Sequence, residues 1–158
     1  MKTTVIDFCD RFGIPLLTLT DCPGYFDGDN TAQGDLIQAT SLLAHAFAGS
    51  NIPKLNVIIG RAYGSALLLM NSKQVGADYV YAWDTAGISL TTPEINALLS
   101  EKKTIETADS PAIKRAELIA FYQMNACSPV LAAQQGFVDD IIPAVQTRAR
   151  IISFYQMI

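Results

Sequence analysis

The chain has 158 residues, of which 50% are hydrophobic and only 16% are charged, and its formal net charge is −4. This length suits one domain with one core, and the lack of any cluster of lysine and arginine argues against nucleic-acid binding. Every apolar run is shorter than the roughly 18 residues that a membrane span requires, so we expect no membrane insertion.

The cysteines and the single histidine exclude two further kinds of site. Cys9, Cys22 and Cys127 are odd in number and widely spaced, which predicts free thiols in a reducing cytoplasm rather than a disulfide framework. One histidine and no CxxC pair predict no metal site. The N-terminal segment has acidic residues and no signal-peptide core, so we expect a cytoplasmic protein.

The first half of the chain predicts alternating helices and strands. Apolar residues with helical spacing indicate helices. Short apolar runs bounded by turn-forming residues indicate buried strands. In chain order the predicted elements are a helix over 4–12, a strand over 16–20, a loop over 21–34, a helix over 35–50, a strand over 55–60 and a helix over 65–73.

The second half continues the alternation. Thr92 and Pro93 suit the cap and the first position of a helix. The predicted elements are strands over 78–83 and 86–90, a helix from residue 93, a helix over 110–126, a strand over 137–142 and a terminal helix from Pro143. Strands that alternate with helices predict an α/β fold with mostly parallel strands.

Two loops follow the first two predicted strands, at the sheet edge where α/β proteins bind ligands. The residues of interest there are Asp21, Pro23, Gly24 and Gly28 in the first loop and Gly60, Tyr63, Gly64, Ser65 and Ala66 in the second. Neither loop has a phosphate-binding glycine motif. Small residues at these places either permit tight turns and close packing, or leave N–H groups at a helix start open to negative charge.

Three separated blocks, residues 8–28, 52–89 and 125–152, resemble the C-terminal half of biotin-dependent carboxyltransferase subunits. That family includes the β subunits of acyl-CoA carboxylases and the carboxyltransferase subunits of decarboxylases. The resemblance implies the crotonase (Clp-like) fold, a superhelix of ββα units. It also implies that residues 1–158 form a single partial C-terminal domain, truncated at its N-terminus.

The resemblance implies where biotin binds. The backbone N–H groups of Ser65 and Ala66, which follow Gly64, would stabilise negative charge on the ureido oxygen of biotin. The further residues implied in binding biotin are Tyr63, Gly24 and Gly28. Family members usually carry a second glycine at position 65, so the serine fits only if the backbone there does not need a positive φ.

The resemblance also implies partners. Biotin would arrive on a carrier protein, acyl-CoA would be the substrate, another chain could supply the acyl-CoA half, and the protein would form homo-oligomers. Two alternatives remain. The chain could be a non-catalytic assembly subunit or a degenerate remnant, or it could be a Clp-like serine hydrolase with Ser65 as nucleophile. Against the hydrolase, His45 precedes Ser65 in the chain, and no histidine follows it.

Overall fold

A computed structural model describes residues 3–24 and 33–158, in which helices and parallel strands alternate. The strands are β1 Leu16–Cys22, β2 Lys54–Tyr63, β3 Tyr79–Trp83, β4 Gly87–Ser89 and β5 Asp140–Ile142. The α-helices are α1 Thr3–Phe12, α2 Gln33–Gly49, α3 Ser65–Leu69, α4 Pro93–Glu106, α5 Pro111–Asn125, α6 Pro129–Gln134 and α7 Thr147–Met157. Short 3₁₀ turns cover Lys73–Val75 and Ala144–Gln146.

The sheet has the order β1-β2-β3-β5, and β4 pairs with the far end of β2. Each of these pairs is parallel. Parallel strands need helical crossovers, and the alternating sequence pattern supplies them. The predicted α/β architecture with parallel strands is therefore confirmed.

Both faces of the sheet are covered. Along β2 the buried side chains alternate, so that Val57 packs with Phe154 of α7 while Ile58 belongs to the cluster on the other face. Helices α1 and α2 add a third cluster around Ile6 and Phe47, both fully buried. Across residues 3–24 and 33–158, no helix combines the length and the apolar character needed to cross a bilayer.

The prediction that β2 ends at Gly60 was wrong, because the strand continues to Tyr63. Its extension is held on one side by β4, where Ala62 pairs with Ile88, and on the other by Cys22 of β1. Gly60 therefore lies within a strand and not in a loop. The strand is three residues longer than predicted, and the turn follows it at Gly64.

Two helix boundaries also differ from the predictions, and one helix was not predicted. The predicted helix over 65–73 ends at Leu69, because Asn71 has a left-handed backbone with φ 50°. Helix α6 was not predicted; Ser128 caps it by accepting the Val130 N–H, and Pro129 occupies the first position. The terminal helix begins at Thr147 rather than Pro143, after a 3₁₀ turn.

Helix α1 carries two apolar stripes. Helical spacing places Val5, Phe8, Cys9 and Phe12 on one side of the helix. Cys9 is buried with Ile6, whereas Val5, Phe8 and Phe12 are exposed, and the rings of Phe8 and Phe12 lie 4.7 Å apart. The helix therefore presents a second apolar stripe that the described residues leave uncovered.

A tyrosine links α7 to the sheet, and its ionisation should destabilise the fold at alkaline pH. Tyr155 Oη donates to Leu16 O at 2.8 Å, and burial raises the pKa of Tyr155 to about 12. Since the folded pKa lies above the ordinary value of about 10, this stabilisation is complete below pH ~10 and is lost as the pH rises through ~12.

Tyr155→Phe should lower the free energy of unfolding by about 1 kcal/mol at pH 8. In chemical unfolding from pH 8 to 12, this deficit should shrink; a constant deficit would contradict the assignment.

Candidate functional site

The turn between β2 and α3 is built on Gly64. Gly64 has φ 60° and ψ −133°, a conformation that other residues rarely adopt. Its N–H donates to Ser89 O at 3.0 Å, which anchors the turn to the end of β4. A side chain at position 64 would be strained whatever space surrounds it. The glycine lets the chain leave the sheet and start a helix within one residue.

Ser65 and Ala66 are the first two residues of α3. N–H groups at these positions have no acceptor within their own helix. Ser65 does not have a positive φ, because Asn71 is the only non-glycine residue with one among residues 3–24 and 33–158. Serine is therefore compatible with the turn. Ser65 is exposed, whereas Ala66 is 0% exposed. The two candidate donors therefore differ in access: the first belongs to an exposed residue and the second to a buried one.

A buried polar network fixes the other end of α3. Asn56 Nδ2 donates to Met70 O at 3.1 Å, and Thr20 Oγ1 donates to Asn56 Oδ1 at 2.8 Å. Asn71 Nδ2 donates to Leu55 O at 3.2 Å. Polar side chains thus tie helix α3 to β1 and β2, and the sequence analysis did not identify them. Thr20 and Asn56 could have been found, because polar residues within buried strands need hydrogen-bond partners.

Tyr63 is the last residue of β2 and lines two clefts. Its ring is buried against Gly87, where a Cβ atom would lie 2.5 Å from Tyr63 Oη. Burial raises the pKa of Tyr63, and the nearby Cys127 and Glu94 raise it further, while Arg61 opposes the shift. The hydroxyl therefore stays protonated at neutral pH and can donate a hydrogen bond into a cleft.

The first cleft has a volume of about 420 Å³ and lies at the carboxyl ends of the strands. Asp21, near the end of β1, lines this cleft. Its Oδ1 accepts the Arg61 N–H at 2.8 Å and lies 3.6 Å from Arg61 Nε. Gly60 makes this possible, because a Cβ there would lie 2.5 Å from Asp21 Oδ1. Asp21 thus joins the ends of β1 and β2.

The second cleft, of about 340 Å³, shares Arg61, Tyr63 and Gln123 with the first. Pro23, from the loop after β1, also lines it. Sequence reasoning missed Gln123, since nothing in its helical surroundings indicates a cleft. Asp84 of the first cleft could have been found, because it follows β3 at the carboxyl end of that strand.

The predicted biotin-side residues are only partly brought together. Gly64, Ser65 and Ala66 adjoin Tyr63 in sequence and structure, yet these three line neither cleft. Gly24 lies in the loop after β1 with φ 131°, and its carbonyl accepts from Cys22 Sγ at 3.4 Å. Gly28 lies outside the described residues.

Two other kinds of site find no support in the described residues. Residues 3–24 and 33–158 contain no group of three or more metal-ligating side chains. His45 is exposed on α2, and within the same residues no hydrogen bond joins it to Ser65. The geometry of the described chain therefore does not provide the serine and histidine pair that a hydrolase requires.

The contact between Gly87 and the Tyr63 hydroxyl gives a double-mutant prediction. Gly87→Ala should destabilise the fold by about 1–3 kcal/mol, because the new methyl group overlaps Tyr63 Oη. Combining it with Tyr63→Phe removes that atom, and most of the loss should be recovered. Urea unfolding of the two single variants and the double variant measures the coupling. If the two effects simply add, the ring does not occupy this position in solution.

Comparison with known proteins places this arrangement in a family. The family model described as "Carboxyl transferase domain" matches residues 2–158. The methylmalonyl-CoA carboxyltransferase 12S subunit of Propionibacterium freudenreichii subsp. shermanii is 38% identical over 96% of this chain and 29% of its own length. The carboxyltransferase subunit of propionyl-CoA carboxylase from Haloferax mediterranei is 38% identical over 97% of this chain and 30% of its own length.

Solved structures agree with the sequence matches. A crystal structure of transcarboxylase 12S with methylmalonyl-coenzyme A and methylmalonic acid bound has a TM-score of 0.88 and 37% identity, covering 98% of this chain and 30% of that one. The β subunit of geranyl-CoA carboxylase from P. aeruginosa, at 18% identity and a TM-score of 0.79, shares the fold. The predicted crotonase-like fold and the family resemblance are confirmed. The chain spans about 30% of these relatives and belongs to the carboxyl transferase domain family.

Proposed function

We propose that this chain provides the biotin-binding side of a carboxyl transfer between a biotin carrier protein and an acyl-CoA. The observation that carries the proposal is the Gly64 turn, which leaves the N–H groups of Ser65 and Ala66 without acceptors in their helix. When bound, biotin supplies a carboxyl group held on its ureido ring. The carbonyl oxygen of that ring is an acceptor of the kind that paired backbone N–H groups bind.

The residues of the turn suit such an acceptor. Residues 63–66 contain no carboxylate that would repel a negatively charged oxygen. The N–H groups of Ser65 and Ala66 would donate to this oxygen, and each preorganised donor of this kind is worth about 2.7–4 kcal/mol of transition-state stabilisation. Tyr63, which stays protonated, can donate a hydrogen bond into the neighbouring cleft. No protein nucleophile is needed.

We propose that the acyl-CoA binds to the part of the fold that this chain does not match. This chain spans only about 30% of its relatives, whose names include methylmalonyl-CoA and propionyl-CoA as substrates. We propose an acyl-CoA of this general class, a cytoplasmic location and assembly into homo-oligomers. Assembly is supported by large exposed apolar side chains on α1, α4 and α5, including Phe12, Leu99 and Met124.

A second candidate function is that of a non-catalytic assembly subunit. The complete burial of Ala66 favours it, because a buried N–H group cannot reach a ligand without some movement of the turn. The position of the turn outside both clefts also favours a non-catalytic subunit. The two candidates differ in one measurable property, which is whether the turn binds biotin.

Three substitutions at position 65 test the proposed role of the N–H group. Ser65→Ala and Ser65→Gly keep this donor, so both variants should bind biotin and support carboxyl transfer about as well as the parent chain. Ser65→Pro removes the donor while Pro remains acceptable at the first position of a helix. It should lower the rate of carboxyl transfer by about 10²–10³-fold.

Two measurements check these variants. Biotin titration followed by ¹⁵N NMR of the isolated chain should shift the N–H signals of Ser65 and Ala66, and Ser65→Pro should abolish binding. Carboxyl transfer from biotin carrier protein is then measured in the assembled complex, with circular dichroism as the control for folding. Unshifted signals in the parent chain would favour the assembly subunit. Loss of activity in Ser65→Ala alone would favour a serine nucleophile.

A further inference from the structure

Strands β1 and β2 bury polar side chains beside α3. Thr20 and Asn56, which lie on these two strands, are 1% and 2% exposed, and Asn71, just beyond α3, is 0% exposed. Removing a polar group from water costs free energy unless a hydrogen bond replaces the lost hydration. Valine or isoleucine would fill a buried parallel strand without that cost. The polar residues therefore have a role other than filling the core.

Asn56 links the sheet to the carboxyl end of α3. Its Nδ2 donates to Met70 O at 3.1 Å, and its Oδ1 accepts from Thr20 Oγ1 at 2.8 Å. Because a carbonyl oxygen can only accept, the amide nitrogen must face Met70, and Thr20 must donate to the amide oxygen. The Asn56 side chain is therefore held in one orientation from both of its ends.

A backbone hydrogen bond carries this link to the start of the helix. The Met70 N–H donates to Ala66 O at 3.1 Å, so the residue that Asn56 holds is bonded directly to the second residue of α3. Helix α3 has only five residues, whereas an isolated helix in water needs about 12–15 residues to be even marginally stable. The position of α3 is therefore set by the groups to which it is bonded.

The other end of α3 is anchored separately. The Gly64 N–H donates to Ser89 O at 3.0 Å, which ties the turn to β4. The turn and its short helix are thus held between β4 at one end and Asn56 at the other. Displacement of either anchor would change the direction of the N–H groups that lie between them.

Asn71 also bonds to the sheet, but its substitution would be harder to interpret. Its Nδ2 donates to Leu55 O and to Thr18 Oγ1, each at 3.2 Å. Asn71 has a left-handed backbone with φ 50°, which asparagine tolerates better than most residues. A substitution there would disturb the backbone and the side chain together. Asn56 lies within β2, so its substitution changes the side chain alone.

We propose that Asn56 is a positioning residue for the Gly64 turn, acting through Met70 to fix the direction of the Ala66 N–H group. The consequence for biotin rests on the proposed function, whereas the positioning itself is a property of the free chain. Asn56 is buried and lines neither cleft, so it acts on a ligand only through the turn. Donors that are aimed before a ligand arrives need no reordering when it binds.

Asn56→Asp is the test variant, because it keeps the shape of the side chain and replaces the Nδ2 donor with an oxygen. At pH 8 two acceptors would then face each other at Met70 O, and the end of α3 should move. In ¹⁵N NMR of the ligand-free chain, the N–H signals of Ser65 and Ala66 should shift. Hydrogen exchange at the Met70 N–H should become about tenfold faster. The Kd for biotin should rise about five- to tenfold.

Two further variants make the result specific. Ser50→Ala is the matched control: Ser50 is 7% exposed, and its Oγ donates to Phe47 O of α2 at 3.0 Å. Its loss should lower the stability to urea and leave the Ser65 and Ala66 signals in place. Thr20→Val removes the hydroxyl that orients Asn56 and keeps a similar shape. It should shift the same two signals by a smaller amount, and it serves as the test if Asn56→Asp does not fold.

Three outcomes would overturn the proposal. They are unshifted Ser65 and Ala66 signals in the folded Asn56 and Thr20 variants, equal shifts in Ser50→Ala, and an unchanged Kd for biotin despite shifted signals. A parent chain that does not bind biotin would contradict the proposed function. The ligand-free signals would then still confirm or overturn the positioning role of Asn56, so the two failures are distinguishable.

Discussion

Pairing along the full length of β2 is the constraint on which the rest of the structure depends. The strand pairs with β1 and β3 through its first half and with β4 through its last three residues. Because the strand continues past Gly60, Asp21 can reach the Arg61 N–H, Tyr63 enters both clefts, and the chain reverses at Gly64. If β2 ended at Gly60, as its sequence suggests, these residues would have no fixed relation to one another.

Local sequence was enough to predict the parallel α/β arrangement and most of its elements. The failures have non-local causes. The extension of β2 depends on β4, which lies more than twenty residues away, and no pattern within 60–63 reveals that pairing. The early end of α3 depends on a left-handed Asn71, whose amide bonds to Leu55 O. In α1, helical spacing identified the apolar residues, but it could not tell which of the two adjacent apolar stripes faces α2.

The candidate site was predicted in part for a similar reason. Sequence resemblance located the Gly64 turn, and the structure shows that serine fits at position 65, since that residue begins a helix without a positive φ. Resemblance gave no indication of the clefts on either side of Tyr63 or of Gln123, because these arise where α5 meets the ends of the strands.

The central claim is that the backbone of the Gly64 turn binds the ureido oxygen of biotin. A crystal structure of the chain with biotin methyl ester tests it most directly. The account predicts that the ureido oxygen lies within about 3 Å of Ser65 N, as oxyanion-type donors require, with Ala66 N as the second donor. Biotin held in the cleft between Asp21 and Gln123 and away from the turn would contradict it.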